Sequence, residues 1–414
     1  MLGVGMGPIA VHNSVPSSTR KSLSLTTRNR WFLLGLTWCA ALTTRASSTG
    51  VSPILPLIKA DLGLSYAQAG FLFSMPTVMM ALFGLPGGWL ADNIGVKRTL
   101  TLGMSAILAG TALRAAVGGY ASLVIWTALL GAGMGISSPG LTRMVKDHFS
   151  DLPGTATGIN TSGFVIGATL GSWLTVPYIL QWSGSWRGTF LVWSAVALVA
   201  LVGWIFLAPS GSAANVGRSP EPGAIWRDKT VWKLNTIFLS HNLFFYCVTT
   251  WTPTYYHELG LPLGEGSFLL TLFIIMALPS SLAVPYLSDR LGGRRGSLVF
   301  SNFILLLTLL GTIYYPLHAP RTYFIIMGLA SGGVFAMTFA LPLDYVDPHK
   351  VGSVAGANLF VGYGGAFLGP LLMGLIYDST ASFTTSWFLV LGIVIVCMTT
   401  IASLPRRPGR QGAA

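Results

Sequence analysis

Apolar runs of membrane-spanning length, separated by short polar or basic stretches, recur along the whole chain. They fall at 31–57, 66–91, 97–119, 121–143, 154–180, 188–208, 231–256, 265–287, 297–316, 321–343, 352–377 and 385–404. Each is long enough to cross a bilayer as a helix, so the pattern predicts an all-α membrane protein of about twelve transmembrane helices. Pro76, Pro86, Pro139, Pro279 and Pro370 stand inside these runs. Membrane bundles tolerate them because neighbouring helices and water satisfy the freed backbone groups.

The polar exceptions inside the runs carry the chemistry. Arg45 sits about halfway along an otherwise uncharged run, where a guanidinium must face a protein interior or a water-filled path. All 12 acids fall in or beside the predicted loops. No carboxylate is therefore placed to pair with Arg45, and the missing anion is read as the cargo. Arg45, Ser48, Thr49, Ser52 and Pro56 follow one another at helical spacing and form one stripe on the first helix.

The chain also repeats itself. A shift of 197 places the segment Gly88–Arg98 on Pro285–Arg295, and carries Arg45, Thr49, Ser52 and Pro56 onto Asn242, Tyr246, Thr249 and Pro253 of the seventh run. A shift of 198 pairs Asn160 with Asn358 and Gly167, Gly171 with Gly365, Gly369. Two pseudo-symmetric six-helix bundles are expected, at 31–208 and 231–404, joined by a Ser/Gly/Pro/Arg-containing cytoplasmic linker at 209–230. Residues 1–30 and 405–414 read as cytoplasmic tails.

Composition narrows the class. With 52% hydrophobic and 9% charged residues, the chain has too little polar surface for a soluble domain of this length. Placing both termini inside puts all but Arg45, Lys59, Arg114, Arg187 and Arg321 of the 24 Lys and Arg on the cytoplasmic face. The positive-inside rule thus accounts for the net charge of +12 without nucleic acid. Cys39, Cys247 and Cys397 lie in apolar runs with no CxxC or nearby His spacing, so neither a disulfide, a metal nor another cofactor is expected.

The Gly88–Arg98 segment resembles the signature loop of the major facilitator superfamily, and Asp289–Arg295 stands where that family carries its second copy. A finer similarity is to the cyanate permease and 2-nitroimidazole transporter branch. It rests on Arg45 followed by Pro53-Ile54-Leu55-Pro56 and Asp61-Leu62-Gly63-Leu64-Ser65, on Tyr246 followed by Trp251-Thr252-Pro253, and on Gly362-Tyr363 followed by Gly369-Pro370 and Gly374. The resemblance implies a bacterial inner-membrane carrier working by alternating access. It also implies a gating latch made by Asp92 with Lys97 and Arg98, repeated by Asp289 with Arg294 and Arg295. The fourth-helix arginine of many family members is absent, since Ile125-Trp126-Thr127-Ala128 occupies that region, so proton-coupling roles tied to it do not transfer.

The expected solute site comprises Arg45, Thr49, Asn160, His241, Asn242, Tyr246, Asn358 and Tyr363. Arg45 would hold an anion, and the amides and phenols would complete its hydrogen bonding. His241 is the candidate for a co-transported proton, with a hydrogen-bonded structural role as the alternative. Trp251 reads either as a cavity wall or gate or as an interfacial belt residue. Glycines four apart, at Gly163, Gly167 and Gly171 and at Gly365 and Gly369, are expected to pack the interface of two moving bundles. The reading is a monomeric secondary transporter of a small anionic or polar solute, a small organic anion or, as the branch resemblance implies, a cyanate-like or nitrite-like one. Efflux of a neutral nitroheterocycle or drug-like compound and a non-transporting sensor on the same fold are the alternatives. No intramembrane carboxylate pair, metal cluster or Ser/His/Asp set supports an enzyme.

Overall fold

The computed structural model describes residues 27–149, 151–209, 226–290, 294–347 and 350–405. The expected tails, apart from residues 27–30 and 405, lie outside them, as do linker residues 210–225 and Leu291, Gly292 and Gly293 of the second signature loop.

The first half runs α1 (Thr27–Thr49), α2 (Leu55–Leu62), α3 (Tyr66–Asn93), α4 (Val96–Leu113), α5 (Tyr120–His148), α6 (Pro153–Leu174), α7 (Gln181–Ser183) and α8 (Trp186–Leu207). The second half runs α9 (Lys229–Glu258), α10 (Leu263–Arg290), α11 (Arg294–Tyr314), α12 (Pro320–Tyr345), α13 (Val351–Thr380) and α14 (Phe383–Ala402). Packing repeats with the sequence. In the first half α1 lies on α6, α3 on α5, and α4 on α5 and α8. Likewise α9 lies on α13, α10 on α12, and α11 on α12 and α14. Among the described residues, ten helical segments are long and apolar enough to cross a membrane. Among the twelve helices of the repeat, α1 and α9 fall outside that set, because these two carry the polar stripes.

Prolines divide two of the predicted runs. The first run breaks after Thr49 into a 3-10 turn at Ser52–Ile54 and then α2. Pro53 and Pro56 have no N–H to give the carbonyls of Thr49 and Ser52. The fifth widens into a π turn at Thr175–Leu180, around Pro177.

Each glycine stripe packs within a bundle, which corrects the expectation of an interface between the two. A Cβ at Gly163 would meet the Trp38 carbonyl at 2.8 Å, and one at Gly171 the Ala46 carbonyl at 2.8 Å, so α6 rides directly on the α1 backbone. Gly369 meets Leu243 O at 2.9 Å on α9 in the same way. These contacts fix the two stripe-bearing helices inside their bundles. The close glycines between bundles are Gly70, against the Pro370 carbonyl, and Gly374, against Tyr66.

Beyond the contact of Arg45 with Tyr246, several hydrogen bonds join the bundles toward one end, opposite the end that carries most Lys and Arg. Ser52 Oγ donates to the carbonyls of Thr249 (2.6 Å) and Thr250 (3.1 Å). Pro253 cannot supply the N–H that Thr249 would receive in a regular helix, so Ser52 fills an orphaned acceptor. The amides of Tyr66 and Ala67 donate to the two Asp378 carboxylate oxygens at 2.9 and 2.8 Å. A carboxylate is favoured there, because Tyr66 and Ala67 open α3 behind the Ser65–Gln68 capping box. The Tyr66 hydroxyl donates to Glu258 at 2.5 Å, and Ser172 and Thr271 share a hydrogen bond of 2.9 Å. These contacts close the bundles together at the far end.

Candidate functional site

A pocket lies where the two polar stripes face each other. It is lined from the first half by Arg45, Ser48, Thr49, Phe73, Pro76, Thr77 and Met134. Phe245, Tyr246, Thr249 and Ile274 line it from the second. Of the residues expected from the sequence, Arg45, Thr49 and Tyr246 therefore meet in one place. The Arg45 side chain stands against the Tyr246 phenol, and the Tyr363 phenol lies close to both. Among the described residues, no Asp or Glu lines the pocket. A neutral phenol orients a guanidinium without cancelling its charge, so the pocket presents one net positive charge beside four aliphatic hydroxyls.

The remaining candidates lie off the pocket lining. Asn242 is buried, and its Nδ2 donates to the Phe238 carbonyl at 3.0 Å. It also packs against α13 at Gly362, beside Tyr363. His241 is one residue round the same helix, between the rings of Phe244 and Phe335 with centroids 6.2 and 6.0 Å away. Its Nε2 has no hydrogen-bond partner. Asn160 and Asn358 are both buried, and each leaves its Oδ1 without a partner. These two acceptors obey the internal repeat. Trp251 is fully buried and donates from Nε1 to the Pro370 carbonyl at 3.1 Å. That places it in the far-end closure and away from a lipid-facing belt.

At the basic end the two signature loops build the same device with different arginines. Arg143 of α5 pairs with Asp92 and, at 3.5 Å, with Asp147. Arg294 of α11 pairs with Asp289 at 3.3 Å and Asp344 at 2.7 Å. The acids correspond under the repeat, Asp92 with Asp289 and Asp147 with Asp344. The arginine does not, because the first half takes it from α5 and the second from the start of α11. A second basic residue caps the last helix of each half. Lys97 Nζ donates to the Ala208 carbonyl at 2.6 Å, and Arg295 donates to the carbonyls of Leu404 (2.8 Å) and Ala402. Cations suit these positions, where terminal carbonyls lack intrahelical partners and the dipole is negative. Arg98 is exposed. The Asp92–Arg143–Asp147 pairs lie within the first bundle and the Asp289–Arg294–Asp344 pairs within the second.

Outside the spans, Arg187 lies 2.7 Å from Asp61, and Trp186 Nε1 donates to the same oxygen at 3.2 Å. The Arg187 bond, followed by that from Trp186, holds the Asp61 carboxyl below its ordinary pKa against partial desolvation. Arg187 thereby ties α8 to α2 just beyond the break in the first helix. Arg143, Arg187, Asp344 and Asp378 had no signal in the sequence beyond their place in loops.

Comparison with known proteins agrees with this geometry. The family model described as Major Facilitator Superfamily matches residues 37–370 and 264–414. The cyanate transport protein CynX of Escherichia coli (strain K12) is 26% identical over 355 residues, covering 84% of this chain and 92% of its own. The 2-nitroimidazole transporter of the same organism is 28% identical over 382 residues, covering 91% and 95%. Among solved structures, a bacterial homolog of the human lysosomal transporter Spinster, inward-facing and unoccupied, superposes with a TM-score of 0.75 at 14% identity, covering 91% of this chain and 97% of that one.

Proposed function

We propose, for a chain that belongs to the major facilitator superfamily, that its cargo is a small monoanion bound by Arg45 in the pocket between the two bundles. The chain is a multi-pass membrane transporter and not an enzyme, and its family moves solutes by alternating access. The observation that supports a monoanion is the composition of the pocket. One guanidinium, four hydroxyls and a phenol converge there with no carboxylate. Such a set stabilises one negative charge by charge-assisted hydrogen bonds, and offers a zwitterion's ammonium no acid partner. Asn160 and Asn358 form a second, symmetric polar pair outside the pocket lining, each with a buried and unpaired amide acceptor. The basic end is taken as cytoplasmic from the distribution of Lys and Arg, so the end joined by hydrogen bonds between the bundles is the outer one in this reading.

Counterflow of labelled cyanate or nitrite by purified protein in liposomes tests the reading. Saturable, trans-accelerated exchange of a small monoanion is expected. Exchange of a neutral nitroheterocycle with none of the anions would instead select the aromatic walls, Phe73 and Phe245, as the recognition surface. Absence of exchange with either class would reject both cargo readings.

The gating assignment is also part of the proposal. Asp92 and Asp289, with Lys97, Arg98, Arg294 and Arg295, would brace the helix ends so that each bundle rocks as a unit. Asp92→Asn is then expected to lower the maximal exchange rate several-fold while leaving the half-saturating concentration near that of the wild type, because the group never touches cargo. An unchanged rate would refute the bracing role.

A further inference from the structure

Arg114 is a second guanidinium buried within the first bundle, and the pocket does not use it directly. It opens a short 3-10 turn after α4 and is 1% exposed, although the sequence places it at the end of an apolar run. Its Nη2 donates to the Ser47 carbonyl at 3.1 Å and to the Thr111 hydroxyl at 3.5 Å. Its Cζ lies 4.4 Å from the centre of the Phe190 ring, a cation–π contact with α8.

The Ser47 carbonyl is the informative partner. At the end of α1, Gly50 N donates to Ala46 O at 2.9 Å, and Val51 N turns back to Ser48 O at 3.5 Å. In a continuing helix Val51 would have supplied Ser47. The break leaves that carbonyl without its helical donor, and Arg114 fills it from another helix with the charge sign that a helix C-terminus favours. Ser47 lies between Arg45 on one side and Ser48 and Thr49 on the other, all three of which line the pocket.

We propose that Arg114 is a positioning residue for the anion site: by capping the broken end of α1 it fixes the direction in which Arg45, Ser48 and Thr49 face the pocket. This rests on Arg45 being the anion-binding group, but its test needs no transported substrate. Ser48→Cys is introduced where Cys39, Cys247 and Cys397 have been replaced by Ser, and the relative labelling rates of an anionic and a cationic methanethiosulfonate are measured from the basic end. Arg45 favours the anionic reagent.

Arg114→Met is expected to lower the anionic-to-cationic ratio at least about threefold while Arg45 is present, and to leave it nearly unchanged in an Arg45→Gln background. Arg114→Lys should restore most of the ratio. Arg114→Gln, which keeps a donor without the charge, serves if the Met variant does not fold. An unchanged ratio in folded protein would overturn the proposal. So would an equal fall in both Arg45 backgrounds, which would make Arg114 act through its own field. Failure of the Met, Gln and Lys variants alike to fold would assign Arg114 to folding alone. A fall in the ratio combined with absent anion counterflow would keep the positioning role and reject the cargo.

Discussion

Arg45→Ala is expected to abolish saturable anion exchange while leaving a folded carrier, and Arg45→Lys to retain part of the exchange. The guanidinium lines the pocket beside Tyr246, with no acid among the lining residues, so removing it leaves no buried carboxylate unpaired. Folding therefore loses little. Binding loses one member of a desolvated charge pair, worth about 2–5 kcal/mol, or at least roughly thirtyfold in affinity. Lysine keeps the charge but not the planar fork, so the loss should be nearer tenfold. Half-saturating concentration in the counterflow assay and melting temperature in detergent are the two readouts. Equal loss of stability and exchange would mean that Arg45 holds helices together, and wild-type affinity in the Ala variant would remove it from the site.

The polar stripes of α1 and α9 were legible because a charge or a row of hydroxyls inside an apolar run has few physical explanations. The repeat then placed Thr49 and Tyr246 in corresponding positions, and both line the pocket. Helical phase alone did not resolve His241 from Asn242, since neighbouring positions differ by about 100° and the partner helix decides which faces the cleft. The glycine stripes announced a close backbone neighbour but could not say whose, and the neighbours are α1 and α9 of the same bundles. Arg143 and Arg114 were hidden for a related reason. Each pairs with groups far along the chain, Asp92 and the Ser47 carbonyl, and no local period encodes such contacts. The signature loop pointed to Asp92 and Asp289, yet the arginines that pair with them come from different elements in the two halves. Conformation was the least legible feature, because one sequence must specify both ends of the transport cycle.

Gly70→Val and Gly374→Val are expected to trap the carrier with its far end open. In the described conformation a Cβ at Gly70 would run into the Pro370 carbonyl, and one at Gly374 into Tyr66, both across the bundle interface. Those clashes exist only while α3 and α13 are closed together at that end, so rocking the bundles apart relieves them without unfolding either. A substitution that raises one state by about 3 kcal/mol shifts the equilibrium more than a hundredfold. Turnover should therefore fall at least tenfold while folded protein is preserved. Gly167→Val is the contrasting variant: its clash with Leu42 lies inside one bundle, persists in every conformation, and should reduce the yield of folded protein. Thr77→Cys, on the pocket wall, reports the state in a background where the three native cysteines have been replaced by Ser. A membrane-impermeant thiol reagent applied from the far side should label it faster in the Gly70 and Gly374 variants than in the parent. Asp378→Asn should shift labelling in the same direction but less, because it weakens the bonds to the amides of Tyr66 and Ala67 without adding a clash. Unchanged labelling in all three would show that contact between α3 and α13 does not control far-end access.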